Sequence, residues 1–183
     1  WSSNIDRMLL SHELTHALQD QNYDLVKFPL KDKDNDDLVL AASALIEGDA
    51  TDLMTRWYVD NAGPDKMLTD IGSMLRQNTA KLLAAPEYLR AILLFPYQEG
   101  QQFVTALTAD GGTKALDDAF RHPPTSTHEI LHPDKFLHDR RDPVPVEVPA
   151  VTTNEWRLIG NNVLGEFGIR SMLQQQLSPW QSQ

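Results

Sequence analysis

The stretch MLLSHELTHALQDQ, residues 8–21, decides the fold of the first part of the chain. Its pattern predicts a helix over residues 4–21. Positions i and i+4 of a helix are about 40° apart around the axis and one turn apart along it. His12 and His16 therefore point the same way. We expect the helix to be buried through its apolar side chains, which are Leu10, Leu14, Ala17 and Leu18.

The two histidines have the spacing of metal ligands. Stacked imidazoles on one face can share a tetrahedral ion through nitrogens at about 2.0–2.1 Å. Glu13 lies about 100° round the helix from His12, so it can reach a metal-bound water without binding the ion. This is the position of a general base.

A catalytic zinc needs three protein ligands and an open position. The best third ligand is Glu47, in Ala44-Leu45-Ile46-Glu47-Gly48 on the next predicted long helix. A carboxylate within so apolar a stretch must be paired or bound to a metal, because burying it alone is costly. Gly48 is unfavourable inside a helix, and it indicates a close approach of another backbone or of the metal site.

The composition excludes several other classes of protein. The chain has 183 residues, 16 Lys+Arg against 26 Asp+Glu, a net charge of −10 and no Cys. The negative charge argues against binding to nucleic acid or to an anionic membrane. The missing cysteines exclude disulfides, thiolate metal sites and cysteine nucleophiles. The longest nearly apolar run, residues 38–46, is far too short to span a bilayer.

The overall pattern is mainly α, and no segment is a confident strand. We expect one domain over residues 1–183, with an extended Pro/Val segment at 142–150 before a C-terminal helix. That helix is expected to open with the capping box Thr152–Glu155 and to carry Trp156, Ile159, Val163 and Phe167 on one face. The other predicted helices cover residues 4–21, 37–61, 65–84, 86–95, 97–109 and 113–120, with a kink or break at Pro96 and a stop at Gly111-Gly112.

The chain begins with Trp, and a helix pattern starts almost at once. We interpret it as a piece of a longer product whose targeting segment is absent. The sequence fixes no compartment, and an exported bacterial protein is one interpretation.

HELTH at residues 12–16, followed by Glu47-Gly48-Asp49-Ala50, resembles the gluzincin branch of zinc metallopeptidases. The resemblance implies a zincin-like helical core that binds Zn²⁺ and hydrolyses peptide or protein substrates. It also implies an α+β fold in the full-length protein, with the upstream sheet absent from this chain. Pro96-Tyr97-Gln98-Glu99-Gly100 is similar to a stretch of the gluzincin aminopeptidases in which a tyrosine hydroxyl stabilises the oxyanion, so Tyr97 is the corresponding candidate.

The series HELTHALQDQ, ALIEGDAT, FPYQEG and PPTSTHEILHP is also similar to a group of uncharacterised bacterial metallopeptidase-like sequences. One departure from the better-known gluzincins is Thr51, which stands where several of them place an Asp that supports a histidine ligand. Asp52, Asp49 and Asp20 are the alternatives for that supporting role.

His132 is a further candidate for contact with substrate or oxyanion, since it ends a predicted one-turn helix. His122, His128 and His138 are expected on the surface. The acidic stretch at residues 32–37 mimics the start of a calcium loop but lacks its Gly and Glu, so a solvated loop is favoured.

Two other functions compete with peptide hydrolysis. Glu13-x-x-His16 and Glu129-x-x-His132 both match the di-iron carboxylate signature, with Glu47 and Glu99 as further ligands. Pro133 confines the second pair to about one turn, which argues against that reading. A non-catalytic zincin-like binding module is the other alternative, and it gives Glu13 no role. The sequence does not separate endopeptidase from aminopeptidase action.

Overall fold

A computed structural model describes residues 3–66, 82, 84–148, 156 and 158–176. Six α-helices are defined in this part of the chain, and it contains no β-strand, which confirms the mainly α prediction. They are α1 (Asn4–Tyr23), α2 (Asp36–Ala62), α3 (Glu87–Arg121), α4 (Thr127–Leu131), α5 (Pro133–His138) and α6 (Gly165–Gln176), with a single 3₁₀ turn at Leu25–Lys27. Most of the helix predicted at 65–84 lies outside the described residues.

Several of these helices begin at a residue whose side chain accepts a hydrogen bond from a first-turn N–H group, or at a proline. Ser3 and Asp6 form a reciprocal capping box at the start of α1, and the Asn35 side chain accepts the Leu38 N–H at the start of α2. α3 follows Pro86, and α5 has Pro133 in its first turn. Proline has no N–H, and the first-turn N–H groups have no hydrogen-bond acceptor within the helix, so no hydrogen bond is lost there. The solvated loop predicted at residues 32–37 is wrong at its end, because Asp36 and Asp37 form the first turn of α2 and Asp37 is buried.

α3 passes through Pro96 without ending, so the predicted break there was wrong. A proline inside a helix costs about 3 kcal/mol. Burial of Phe95 and Phe103 against the core on either side of Pro96 offsets that cost. The helix was predicted to stop at Gly111-Gly112. Gly112 does have a non-helical backbone, with φ 63° and ψ −155°, but it kinks α3 and does not end it.

α2 lies in the centre of the fold, packed between α1 and α3. The closest point of the α2–α3 contact is a pair of glycines. A Cβ built on Gly48 would lie 2.3 Å from the carbonyl carbon of Gly100, and one built on Gly100 would lie 2.2 Å from the carbonyl oxygen of Ala44. The expectation that a backbone approaches Gly48 closely is therefore confirmed.

The face of α1 that is buried is not the one expected from the sequence. Leu14 and Leu18 are 54% and 57% exposed, whereas Met8, Thr15 and Gln19 are buried. The prediction that Leu14 and Leu18 bury this helix was wrong, because the face that meets α2 carries Gln19, which donates to the Ile46 carbonyl, while the Thr15 hydroxyl donates to Ser11 within α1. Tyr23 at the end of α1 donates to Asp117 of α3 at 2.6 Å.

The C-terminal helix begins later than predicted. α6 starts at Gly165, and the described residues before it, including Trp156 and Ile159, are non-helical and 75% and 92% exposed. The capping box at 152–155 lies outside the described residues. Phe167 packs against Phe95 with ring centroids 4.2 Å apart, which anchors α6. Residues 142–148 form neither helix nor strand, and their valines are exposed.

Among the described residues, none of the helices combines the length and apolarity that crossing a bilayer requires.

Candidate metal centre

Two helices bring three ligand atoms together at one point. His12 and His16 reach it from α1 and Glu47 reaches it from α2. The two imidazole Nε2 atoms lie 3.0 Å apart, and Glu47 Oε2 lies 3.2 Å from that of His12 and 3.5 Å from that of His16. These are the residues that the sequence predicted as a ligand set.

The triangle has the dimensions of one face of a coordination tetrahedron. Ligands about 2.0–2.1 Å from a tetrahedral ion are about 3.3 Å from each other. Glu47 Oε2 is buried and makes no well-formed hydrogen bond with any other described residue. A buried oxygen left without such a partner is costly unless a cation satisfies it. The two nitrogens and one oxygen therefore fit a divalent metal ion.

The electrostatics of Glu47 suit a ligand. Burial alone would raise the pKa of its carboxyl, but the adjacent imidazoles of His12 and His16 outweigh burial and lower the pKa to about 2. Glu47 is therefore ionised at neutral pH. The proximity of Glu47 in turn raises the pKa of His16.

Gln19 fixes the orientation of His16, and it was missed at the level of sequence. Its amide nitrogen donates to the Ile46 carbonyl at 3.0 Å and to Asp49 Oδ2 at 2.8 Å. Its oxygen must then face His16 Nδ1, which lies 2.9 Å away and donates to it. In the neutral ring this makes Nε2 the nitrogen with the free lone pair, and Nε2 is the atom that lies near His12 Nε2 and Glu47 Oε2. The available signal was the position of Gln19, one turn after His16 on the same helix.

The three aspartates predicted to support a ligand have different surroundings. Asp49 acts on His16 only through Gln19. Asp52 is paired with Arg56 at 2.8 Å and accepts from Thr105, and Asp20 accepts the Leu25 N–H. No hydrogen bond between these carboxylates and a histidine ligand occurs in the described part of the chain. Burial raises the pKa of Asp49.

His12 has no comparable support. Its Nδ1 is buried without a hydrogen-bond partner in the described ranges, and so is the hydroxyl of Thr51, one turn after Glu47. The residue that replaces the expected Asp therefore gives His12 no direct hydrogen bond. Of the two histidines, His16 is the one held in place by the fold.

Gln19→Leu is expected to weaken zinc binding by about 10- to 100-fold, because loss of a group that orients a metal-binding histidine typically has that effect. It also leaves the Ile46 carbonyl without its side-chain donor. Isothermal titration with Zn²⁺ in a competing chelator measures the affinity. Gln21→Leu, on an exposed position of the same helix, is the matched control and should bind zinc as the parent does. Equal affinities for the two variants would contradict this role of Gln19.

Glu13 and Tyr97 flank the cluster on its solvent side. Both are exposed, and the Tyr97 ring lies 6.4 Å from the His12 ring, centroid to centroid. Partial burial raises the pKa of Tyr97, and the charges of Glu47 and Glu13 raise it further. The phenol therefore stays protonated at neutral pH and can donate a hydrogen bond. It stands inside α3, one turn before Gly100, and not after a helix break as predicted.

His132 belongs to a second cluster of histidine and glutamate side chains. Its Nε2 contacts Glu166 of α6 at 2.9 Å, and the cluster also contains His128. His132 thus belongs to a different group from His12, His16 and Glu47, and its contact with substrate or oxyanion stays a prediction.

In the di-iron interpretation the histidines of the two ExxH pairs, His16 and His132, fall in separate clusters, and neither Glu13 nor Glu129 belongs to either cluster. Glu129 moreover forms an ion pair with Arg140, which occupies the carboxylate that the di-iron interpretation would use as a ligand.

Comparison with known proteins gave no relatives: no family model matches the chain, and no curated protein or solved structure matches it.

Proposed function

We propose that the protein is a zinc-dependent metallopeptidase with a zincin-like, gluzincin-type site. The observation that carries the proposal is the convergence of His12 Nε2, His16 Nε2 and Glu47 Oε2 within 3.5 Å of one another. Two imidazoles and one carboxylate are the ligand set of hydrolytic zinc sites, in which the fourth position stays open.

Zinc held by these residues supplies Lewis acidity, which polarises a carbonyl and lowers the pKa of a water molecule to about 7. The side chains of the three ligands are 14%, 23% and 26% exposed. They are thus sheltered enough to hold their geometry, while one side of the cluster remains accessible to a substrate.

Glu13 is the group that moves a proton. It directly follows His12 on α1, and it has no ion pair or hydrogen bond with another described residue that would occupy its carboxylate. As general base it takes a proton from the attacking water and then gives it to the leaving amine.

Tyr97 is the group that stabilises charge. Its hydroxyl is a neutral donor on the accessible side of the ligands. A hydrogen bond directed at the substrate oxygen on which negative charge develops lowers the barrier to hydrolysis. The position of Tyr97 is fixed by the tight α2–α3 contact at Gly48 and Gly100.

The ligand assignment is tested by metal content. Glu47→Ala is expected to lose the zinc of this site and so to hold less zinc per chain than the parent, because it removes the only charged ligand and one of three protein donors. Zinc per chain is measured by inductively coupled plasma mass spectrometry after gel filtration. Glu99→Ala is the matched control, since Glu99 also belongs to a helix next to the site but lies outside the ligand cluster.

A Glu99 variant that holds less zinc per chain than the parent, beside a Glu47 variant that holds as much as the parent, would overturn the assignment. Circular dichroism of both variants separates loss of a ligand from loss of the fold.

A further inference from the structure

The second cluster consists of His128, His132 and Glu166. His128 belongs to α4, His132 directly follows it, and Glu166 is in the first turn of α6. His128 Nδ1 lies 2.5 Å from Glu166 Oε2, and His132 Nε2 lies 2.9 Å from Oε1 and 3.1 Å from Oε2. The two imidazole centroids are 4.5 Å apart. Both histidines thus direct a ring nitrogen at one carboxylate.

The cluster repeats the pattern of the first site. Residues 128–132 read His-Glu-Ile-Leu-His, so they are a second HExxH segment, and here too a glutamate from a later helix completes the set. One ligand atom from each of the three residues lies within 4.8 Å of the other two. The sequence contains this signal, but the di-iron interpretation of it used only Glu129 and His132.

The glutamate of this second HExxH segment is not free to act as a base. Glu129 is 2% exposed, and its two oxygens accept hydrogen bonds from Arg140 Nε at 2.8 Å and from the Thr125 N–H at 2.7 Å. Breaking such a buried ion pair is strongly destabilising. The second segment therefore has two exposed histidines for a ligand role and a glutamate that is committed to structure.

We propose that His128, His132 and Glu166 form a second zinc site that fastens α6 to α4 and does not catalyse. Two imidazoles and a carboxylate suit zinc, and a water molecule can complete a tetrahedron on the exposed side. The side chains of the three residues are 51%, 41% and 34% exposed, so they are free to adjust. The two His–Glu distances of 2.5 and 2.9 Å need to lengthen by less than about 1 Å to reach the ligand spacing of about 3.3 Å that zinc needs.

The location gives this ion a structural effect. α6 exposes Ile169, Met172 and Leu173, each by about half, so its hydrophobic attachment is limited. Phe167 supplies most of that attachment through Phe95, and its N–H donates to the Thr127 hydroxyl at 3.1 Å. A metal that bridges two helices present together only in the folded state stabilises that state.

Zinc stoichiometry tests the proposal. The purified protein, stripped with chelator and titrated with Zn²⁺ alone, is expected to bind two equivalents. His128→Ala/His132→Ala should bind one, His12→Ala/His16→Ala should bind one, and the variant with all four changes should bind none. His138→Ala is the matched control, an exposed histidine paired with Asp110 outside the cluster, and it should still bind two.

A second readout addresses the position of α6. Zn²⁺ should slow proteolytic cleavage at Arg170, within α6, in the parent and in the His12→Ala/His16→Ala variant. It should not do so in Glu166→Gln, which keeps the shape of the side chain and removes its charge. Binding of a single equivalent by the parent, lost entirely in His12→Ala/His16→Ala, would overturn the second site and leave the first intact. Protection by zinc that persists in a folded Glu166→Gln variant would overturn the fastening role.

Discussion

Glu13→Gln is expected to lower the rate of peptide hydrolysis by about 10²- to 10⁴-fold while zinc remains bound. Positioned general bases contribute about that factor, and Gln keeps the size of the side chain but cannot take a proton. Glu13 lies outside the ligand triangle, so the change leaves His12, His16 and Glu47 in place. Initial rates on fluorescein-labelled casein and on aminoacyl p-nitroanilides measure the loss, and metal analysis of the same samples measures zinc.

Glu147→Gln is the control, because Glu147 is exposed in the extended segment far along the chain from the zinc ligands. It should hydrolyse the substrates as the parent does. Zinc-loaded parent and Glu13→Gln proteins that are both inert would support a non-catalytic zinc-binding module instead. An active Glu13→Gln protein would remove Glu13 from the mechanism and leave the metal site standing.

Gly100→Ala is expected to lower the free energy of unfolding by about 3 kcal/mol, although alanine is the better helix former by about 1 kcal/mol. The added methyl would lie 2.2 Å from the Ala44 carbonyl oxygen, and backbone cannot move aside as a flexible side chain can. Overpacking of this kind typically costs 1–3 kcal/mol, occasionally more. Urea denaturation followed by circular dichroism gives the value.

Gly160→Ala provides the comparison, since a Cβ at that position meets nothing within 4 Å. Its free energy of unfolding should stay within about 0.5 kcal/mol of the parent value. A Gly100→Ala protein as stable as the parent would mean that α2 and α3 do not cross as closely as described. Because Tyr97 is one turn from Gly100, zinc-dependent hydrolysis should fall with stability in this variant.

The ligand set could be predicted from the sequence because it depends on one helical repeat. His12 and His16 share a face in any α-helix, whatever surrounds it. Glu47 was identified because a carboxylate within an apolar stretch needs a partner. The central helices α1 and α2 were also predicted to within two residues at each end.

The roles of neighbouring residues could not be predicted in the same way. Leu14 and Leu18 suggested a buried face for α1, yet the buried positions include Thr15 and Gln19, and the hydrogen bonds of Gln19 depend on where α2 lies. Asp49, Asp52 and Asp20 were equivalent in sequence, and only the position of Gln19 links Asp49 to His16. His132 was a candidate for contact with substrate or oxyanion, and nothing in its sequence neighbourhood indicated that it would contact Glu166.

The sequence by itself thus determined a mainly helical chain with an HExxH pair and a glutamate able to join it, since these follow from local periodicity and the cost of burying charge. The tertiary structure decided which groups meet. Gly48 and Gly100 let α2 and α3 approach within backbone contact, which positions Glu47 and Tyr97 around one point. α6 brings Glu166 to the second pair of histidines. Contacts between residues far apart in the chain depend on helix packing, and helix periodicity does not specify them.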